Sequence, residues 1–376
     1  MNRLLIIALV IWVNTALADE TYYTQDDFYR VEKIDMHMHL HSAGPEFMNE
    51  IQRDHFRVLS INVDYADFPP LSEQKRIARI LLKKYPANFA YATSFSVRNF
   101  EQSGWVEQVI RQIDDDLNHG AAGVKVWKNI GMALRASDGK MVMIDDPHFE
   151  PIFDHLEKIH IPLLGHQGEP KNCWLPAADM SVSNDREYFS AHPQYYMYLH
   201  PDMPSYENQI DARDHMLSQH PNLQFVGLHL ASLEWSVDKL AQFLDRFPHA
   251  NVDLAARIGQ LQFQSSQDRD KVRNFLIKYQ DRVMYATDLD QEPDLPIGRE
   301  CDAACKQEVP FPMQARLVWL RDWRYFTSSA LITVPELDNP VRGLQLPTGV
   351  IDKIYYQNAQ HQFPNSWKAS FRTNAP

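Results

Sequence analysis

What the sequence lacks narrows its reading first. Its 37 lysines and arginines and 49 aspartates and glutamates give a net charge of −12 over 376 residues, with no long run of either sign. Without a basic stripe to neutralise phosphates, a nucleic-acid partner is not expected. No segment after the first twenty residues is long and apolar enough to cross a bilayer, which takes ~20 residues. Internal repeats, low-complexity tracts and clear linkers are also missing, so a single domain is expected over residues 19–376. With 44% apolar and 11% aromatic residues, that domain has material for a substantial core.

The one apolar run at the start, from Leu4 to Val13 in "MNRLLIIALVIWVNTALADE", follows a lone arginine and ends in small residues at Ala16-Leu17-Ala18. This is the anatomy of a secretory signal peptide over residues 1–18, and the run is short for an anchor helix. The mature protein is therefore expected to be secreted or periplasmic, with no membrane contact after cleavage. Cysteine is scarce, at three residues. Cys301 and Cys305 lie close together in "GRECDAACKQ", where an oxidising compartment would let them pair. A metal clip is disfavoured there because no further Cys or His is near in sequence, and Cys173 is left as the odd thiol.

From residue 33 onward short apolar runs alternate with amphipathic stretches. The segments 33–42, 56–63, 89–96, 122–127, 161–166, 223–229, 250–256 and 282–288 read as buried strands. Between them "SEQKRIARILLKKY", "WVEQVIRQIDDDLNHG", "FEPIFDHLEKIH" and "DKVRNFLIKYQ" carry helical periodicity. Eight strand and helix units in about 260 residues match an α/β fold of the (β/α)8 TIM-barrel type. A doubly wound sheet is the runner-up, but its Gly-rich phosphate turn is missing, since "HLHSAGPEF" follows the first strand. The fifth strand is followed by about forty residues rich in Pro, Trp and Tyr, 167–207, long enough to be a lid or a substrate wall.

The first strand, "KIDMHMHLHS", alternates polar and apolar side chains. Period-two geometry puts Asp35, His37, His39 and His41 on one face and Ile34, Met36, Met38 and Leu40 on the other. Several titratable groups on one buried face are costly unless something binds them, and neutral imidazole is the commonest protein ligand for metals. Barrel enzymes work at the C-terminal ends of their strands. The polar residues expected there are His37 and His39, Lys125 on the fourth strand, His166 closing the fifth, His229 closing the sixth and Asp288 closing the eighth.

Taken in order, "IDMHMH", "GHQGEP", "GLHL", "YATDLD" and the closing "LQLPTGVIDKIYYQNAQ" resemble the amidohydrolase superfamily. Within it they are similar to the amidohydrolase-related, metal-dependent TIM-barrel branch (amidohydrolase 2). The resemblance implies that His37, His39, His166 and Asp288 ligate a metal, with His229 a catalytic or neighbouring group. His41 competes for a ligand position if the register shifts by two. It also implies a divalent ion, with Zn²⁺ the leading choice. One ion is favoured, and two if Lys125 is carboxylated; Lys125 can equally be a substrate-binding ammonium.

Such a site suits hydrolysis of an amide, ester or lactone of a small, carboxylate-bearing substrate by activated water, with Asp288 as proton acceptor. Glu169, in the turn "GHQGEP", is a further catalytic candidate or a loop salt bridge. Arg257, past the seventh strand, has the planar fork to hold a substrate carboxylate. Trp127, Trp174, Tyr188, Tyr195 and Tyr196 are candidates for an aromatic pocket. Two other readings stay open: a non-oxidative decarboxylase or hydratase of an aromatic or dienoic acid on the same metal site, and a non-enzymatic periplasmic metal-binding protein. Expected partners are a small-molecule substrate and, where the chain assembles, further copies in a homo-oligomer.

Overall fold

A computed structural model describes residues 21–291 and 309–368. The expected signal peptide, Cys301 and Cys305 lie outside the described residues. The strands are β1 (Lys33–Leu40), β2 (Phe56–Ile61), β3 (Phe89–Ser94), β4 (Val124–Val126), β5 (Leu163–Gly165), β6 (Phe225–Gly227), β7 (Ala250–Asp253), β8 (Val283–Met284) and β9 (Leu289–Gln291). They form one parallel sheet in the order β8-β7-β6-β5-β4-β3-β2-β1-β9.

The expected eighth strand, 282–288, is regular only at β8, which pairs with β7. A second piece beyond its expected end, β9, pairs with β1, so the closing edge is in two halves. Between the halves Met36 N–H donates to Tyr285 O at 3.1 Å and Asp288 N–H to His37 O at 2.8 Å. The sheet thus curls round on itself as a (β/α)8 barrel, and the break places Asp288 at its mouth.

Helices follow the strands because their polar and apolar residues alternate at helical period and their ends are capped. Ser205 and Asn208 form a reciprocal capping box on Tyr206–Gln219, while Ser236 and Asp268 accept the Lys239 and Lys271 N–H groups at two later helix starts. Strand residues pointing outward, such as Val58, Tyr91, Val124, Phe225 and Val283, pack with these helices in one core. Those pointing inward, Leu59, Ile61, Ala90, Ala92, Leu164, Val226 and Ala286, form a second core inside the barrel. Phe363 and Trp367 from the C-terminal segment join that inner core, and Trp367 Nε1 donates to Val58 O at 3.0 Å, plugging the bottom. The functional groups are left the opposite, upper end.

The strict alternation expected along β1 does not hold. Its pairing with β2 shifts register between Asp35 and Met38. Before the shift Ile34 and Met36 belong to the inner core; after it Met38 and Leu40 belong to the outer one. Asp35 therefore does not share a face with His37 and His39. It accepts hydrogen bonds from Trp319 Nε1 at 2.9 Å, Thr287 N–H at 3.1 Å and Thr287 Oγ1 at 2.7 Å, tying β1 to the split strand and to the helix Phe311–Thr327. The irregularity switches which side chains face inward.

The connection after β5 folds into short turns and the helix Ser183–Ala191. Cys173 is fully buried within it, with Sγ donating to Tyr195 O at 3.1 Å and accepting Met197 N–H at 3.4 Å. Burial raises its pKa, so this thiol serves as packing.

Asp35→Ala would strip an acceptor from three buried donors, each costing about 1–3 kcal/mol when orphaned. The expected outcome is a thermal midpoint lowered by several degrees, with Asp35→Asn, which keeps one carbonyl oxygen, falling less. Calorimetry of the two variants beside the parent checks this.

Candidate metal centre

The upper ends of β1, β4, β5, β6 and β7, with the break between β8 and β9, bring a set of imidazoles and carboxylates together. His37, on β1, hydrogen-bonds through Nδ1 to Asp253 Oδ2 at 2.8 Å, and His39 through Nδ1 to Ile61 O at 2.7 Å. His229 Nδ1 meets Ala255 O at 3.0 Å. Each Nδ1 faces an acceptor and must carry the proton, which leaves the Nε2 of the neutral His39 and His229 rings as a bare lone pair.

The Nε2 atoms of His37 and His39 face a carboxylate, and His37 Nε2 also faces the Lys125 ammonium at 3.3 Å. His37 Nε2 lies 3.0 Å and His39 Nε2 3.3 Å from the same oxygen of Asp288. Donor atoms of His37, His39 and Asp288 lie within 4.8 Å of one another. The Nε2 atoms of His166 and His229 are buried with no hydrogen-bond partner among the described residues, and the two rings are 4.0 Å apart between centroids. Acceptors crowded in a dry site need donors or a cation among them. Lys125 meets His37 Nε2, while the Nε2 atoms of His166 and His229 are left without either among the described residues. The residues present therefore fit a divalent metal, with His37, His39 and Asp288 as the tightest set and His166 beside His229 rather than within it.

The electrostatics agree with that fit. Burial drives His166 and His229 well below the usual imidazole value and takes His39 down to about 4, so these rings are neutral at neutral pH. Burial would raise Asp288, but the imidazoles packed round it, His37 foremost, outweigh that effect and hold the carboxyl well below its usual range. Burial and Lys125 push His37 down, yet Asp288 and Asp253 leave it raised overall. Lys125 Nζ sits 3.3 Å from His37 Nε2, and burial lowers its pKa to about 8 despite the Asp288 and Asp253 charges.

The backbone around these groups is strained. His229, Leu230, Ala231 and Ser232 all have φ between 54° and 57°, a turn of left-handed helix without a glycine, and Asp288 has φ 67°. Each such residue costs roughly 1–2 kcal/mol. Asp253 Oδ1 accepts the His229 N–H at 2.5 Å, Ser232 Oγ donates to Gln167 O at 2.7 Å, and Tyr206 and Arg213 bond the Ser232 and Ala231 carbonyls. Strain held in place by such bracing is characteristic of functional sites. Gly165, just before His166, has no room for a side chain because an added Cβ would collide with the Phe225 ring.

A cavity of about 210 Å³ opens onto the group. His39, Lys125, His166, His229 and Asp288 line its floor, and Tyr65, Phe68, Trp127, Tyr188 and Tyr195 its walls. Of the five aromatic residues singled out from sequence, Trp174 and Tyr196 serve the loop instead: Trp174 packs on Tyr206 and Tyr196 bonds Leu175 O at 2.7 Å. Glu169 is ion-paired with Lys128 and lines a neighbouring chamber. Arg257 is not among the residues lining the metal cavity; it is buried, donates to Ala256 O, and its charge opposes the burial that lifts Glu234 to about 7. His41 stands at the rim, 3.1 Å from Asp290. Sequence reasoning missed Asp253, Lys128, Tyr65 and Phe68. The signal for Asp253 was a single acid in the otherwise apolar strand "ANVDLAA".

The fold and site thus define a parallel barrel with a candidate metal centre at its upper end. A family model described as amidohydrolase matches residues 100–364, and the chain belongs to the amidohydrolase family. Solved structures similar to it include 2,6-dihydroxybenzoate decarboxylase from Rhizobium, 13% identical over 89% of this chain and 99% of that one, with a TM-score of 0.48. L-Hydantoinase (dihydropyrimidinase) from Arthrobacter aurescens is 9% identical over 90% of this chain and 73% of that one, at 0.46. 4-Oxalomesaconate hydratase from Rhodopseudomonas palustris is 12% identical over 85% and 80%, at 0.43. No curated protein matches the sequence.

Asp253→Asn preserves shape but removes the charge that holds His37. Its expected effect is a metal affinity weakened by about 10- to 100-fold, the usual worth of a partner to a ligating histidine. Titration of the apoprotein with Zn²⁺ measures it.

Proposed function

We propose that the protein is a metal-dependent hydrolase that cleaves an amide, ester or lactone of a small substrate. The observation that carries this reading is the convergence of the His37 and His39 Nε2 atoms on one oxygen of Asp288 at the floor of a cavity. A divalent ion bound by His37, His39 and Asp288, with His166 able to join, supplies Lewis acidity toward a carbonyl and toward water. Zn²⁺ is the ion proposed, one per site.

Asp288 is the proton acceptor in this reading. Its carboxylate is ionised, and its side chain is 27% exposed, the most open of the set to a water in the cavity. Only one of its oxygens faces His37 and His39; the other, 4.0 Å from His229 Nδ1, is left to take the proton and return it to the leaving group. His229 offers its bare Nε2 to orient water. Lys125, close to neutrality at about 8, stands over His37 and can donate to a developing oxyanion. Glu169 holds the Lys128 ammonium at the cavity edge, a role in positioning.

The aromatic walls Tyr65, Phe68 and Trp127 support one competing reading, decarboxylation of an aromatic acid stacked between them. Release of CO₂ from hydroxybenzoates, measured beside hydrolysis of simple esters and lactones, separates the two. For Asp288→Asn, with three imidazoles still present, the expected outcome is Zn²⁺ weakened but retained at saturation while turnover falls by about 10²–10⁴-fold. Full turnover at full metal content would transfer the proton to another group.

Export of the mature chain from residue 19 is likewise proposed, on the "LLIIALVIWV" run and the Ala16-Leu17-Ala18 end. Intact mass of protein recovered from the periplasm should lack residues 1–18; a retained Met1 would refute it.

A further inference from the structure

Beside the metal cavity lies a second chamber of about 320 Å³ that the hydrolytic step leaves unused. Both cavities are lined by Trp127, Lys128 and Tyr195, which form the partition between them. Behind the partition Met132, Met197 and Met203 give a soft apolar lining, beside Asn129, Gln194 and His200, whose Nε2 is already bonded to Pro193 O at 2.9 Å. Methionine fits irregular apolar shapes because its side chain is unbranched and polarisable.

The chamber is built by two braced connections. After β4, Gly131 turns with φ +96°, and Gln209 Nε2 bonds its carbonyl at 2.7 Å while filling the space a side chain would need. After β5, the Cys173 bonds to Tyr195 and Met197 hold the facing wall. Its charges do not invite an anion. The Lys128 ammonium is already taken up by Glu169, and a further carboxylate, Asp202, lines the chamber. An anionic occupant would meet acids with no ammonium to spare, whereas an uncharged group meets methionines and two aromatic rings.

We propose that this chamber is a substrate subsite for a neutral apolar group, an alkyl chain, thioether or aryl ring, carried by a substrate whose reacting carbonyl sits in the metal cavity. The position of that carbonyl rests on the hydrolase reading above; the apolar subsite does not. The substrate is thus in two parts: a compact carbonyl end for the smaller cavity and an uncharged tail that passes the Lys128–Glu169 pair.

Two measurements on the full, Zn²⁺-loaded chain test this. The first is binding of the neutral fluorophore N-phenyl-1-naphthylamine to the parent, Met132→Asp and Met203→Asp; both methionines are partly exposed, so a charge there is tolerable to the fold. Saturable binding by the parent, weakened about tenfold or more in both variants with unchanged near-ultraviolet dichroism, is expected from placing a carboxylate in an apolar pocket. Affinities within about twofold of the parent in both, or no saturable binding at all, would overturn the subsite. The second is the ratio of kcat/KM for 4-nitrophenyl hexanoate over the acetate, expected to fall about tenfold in both variants. Probe binding that responds as expected without any ester turnover would remove the hydrolase reading and leave the subsite standing. Metal-dependent ester turnover with an unchanged ratio and unchanged probe affinity would do the reverse.

Discussion

The site depends on one buried carboxylate. Asp253, fully inaccessible at the end of β7, accepts from His37 Nδ1 with one oxygen and from the His229 backbone N–H with the other. The first contact fixes a ring tautomer on β1, and the second fixes a strained turn after β6. One side chain thus links β1 to the turn after β6, setting the His37 ring directly and the His229 backbone, while the His229 ring itself is held by Ala255 O. Removing its charge weakens the contact that chooses the His37 tautomer. The strain in the turn from His229 to Ser232 is tolerable because this bond and the Tyr206, Arg213 and Ser232 contacts determine the conformation several times over.

The barrel divides its interior by height. At the lower end Ile34, Met36, Leu59, Ala90, Leu164 and Val226 pack against Phe363 and Trp367 as a dry core. At the upper end the same strands and their extensions carry His37, His39, Lys125, His166 and Asp253, buried polar groups that would be intolerable without partners or an ion. Small residues inside, Ala92 and Ala286 among them, let the plug rise close to the site and keep water from reaching it from below. The apolar half provides the stability and the dielectric in which the polar half acts, since charge interactions strengthen as water is excluded.

Much of this was legible in the sequence, and what was not has identifiable physical causes. The eight strands, their order and the strand-end residues follow from periodicity, because a parallel barrel repeats one pattern and each repeat ends at the same face. The three residues of the tightest candidate set, His37, His39 and Asp288, lie together at the upper end as the strand-end pattern expected, with His166 and His229 close to each other. The alternation of β1 was misread because a local register shift leaves no mark in a pattern of single-letter alternation: Asp35 looks like one more polar inward residue, yet it binds Trp319 and Thr287. Asp253 was overlooked because its importance lies in what it touches, and both partners are distant in sequence. Lys128, Tyr65 and Phe68 sit on connecting loops, whose course no periodicity announces.

The shift in β1 brings the inner core and the polar upper end within one residue of each other on that strand. The regular strand β5 makes the same change two residues apart, with Leu164 in the inner core and His166 at the upper cavity. Changing register between Asp35 and Met38 lets β1 give Met36 to the lower core and His37 to the metal group one residue later. The break between β8 and β9 answers it across the seam. Asp288, with its left-handed φ, donates its N–H to His37 O while its carboxylate turns to His37 and His39 Nε2. Thr287, one residue earlier, turns outward to Asp35. Two irregularities on adjacent strands therefore hold each other in place, and the point where they meet is where the ligand atoms converge.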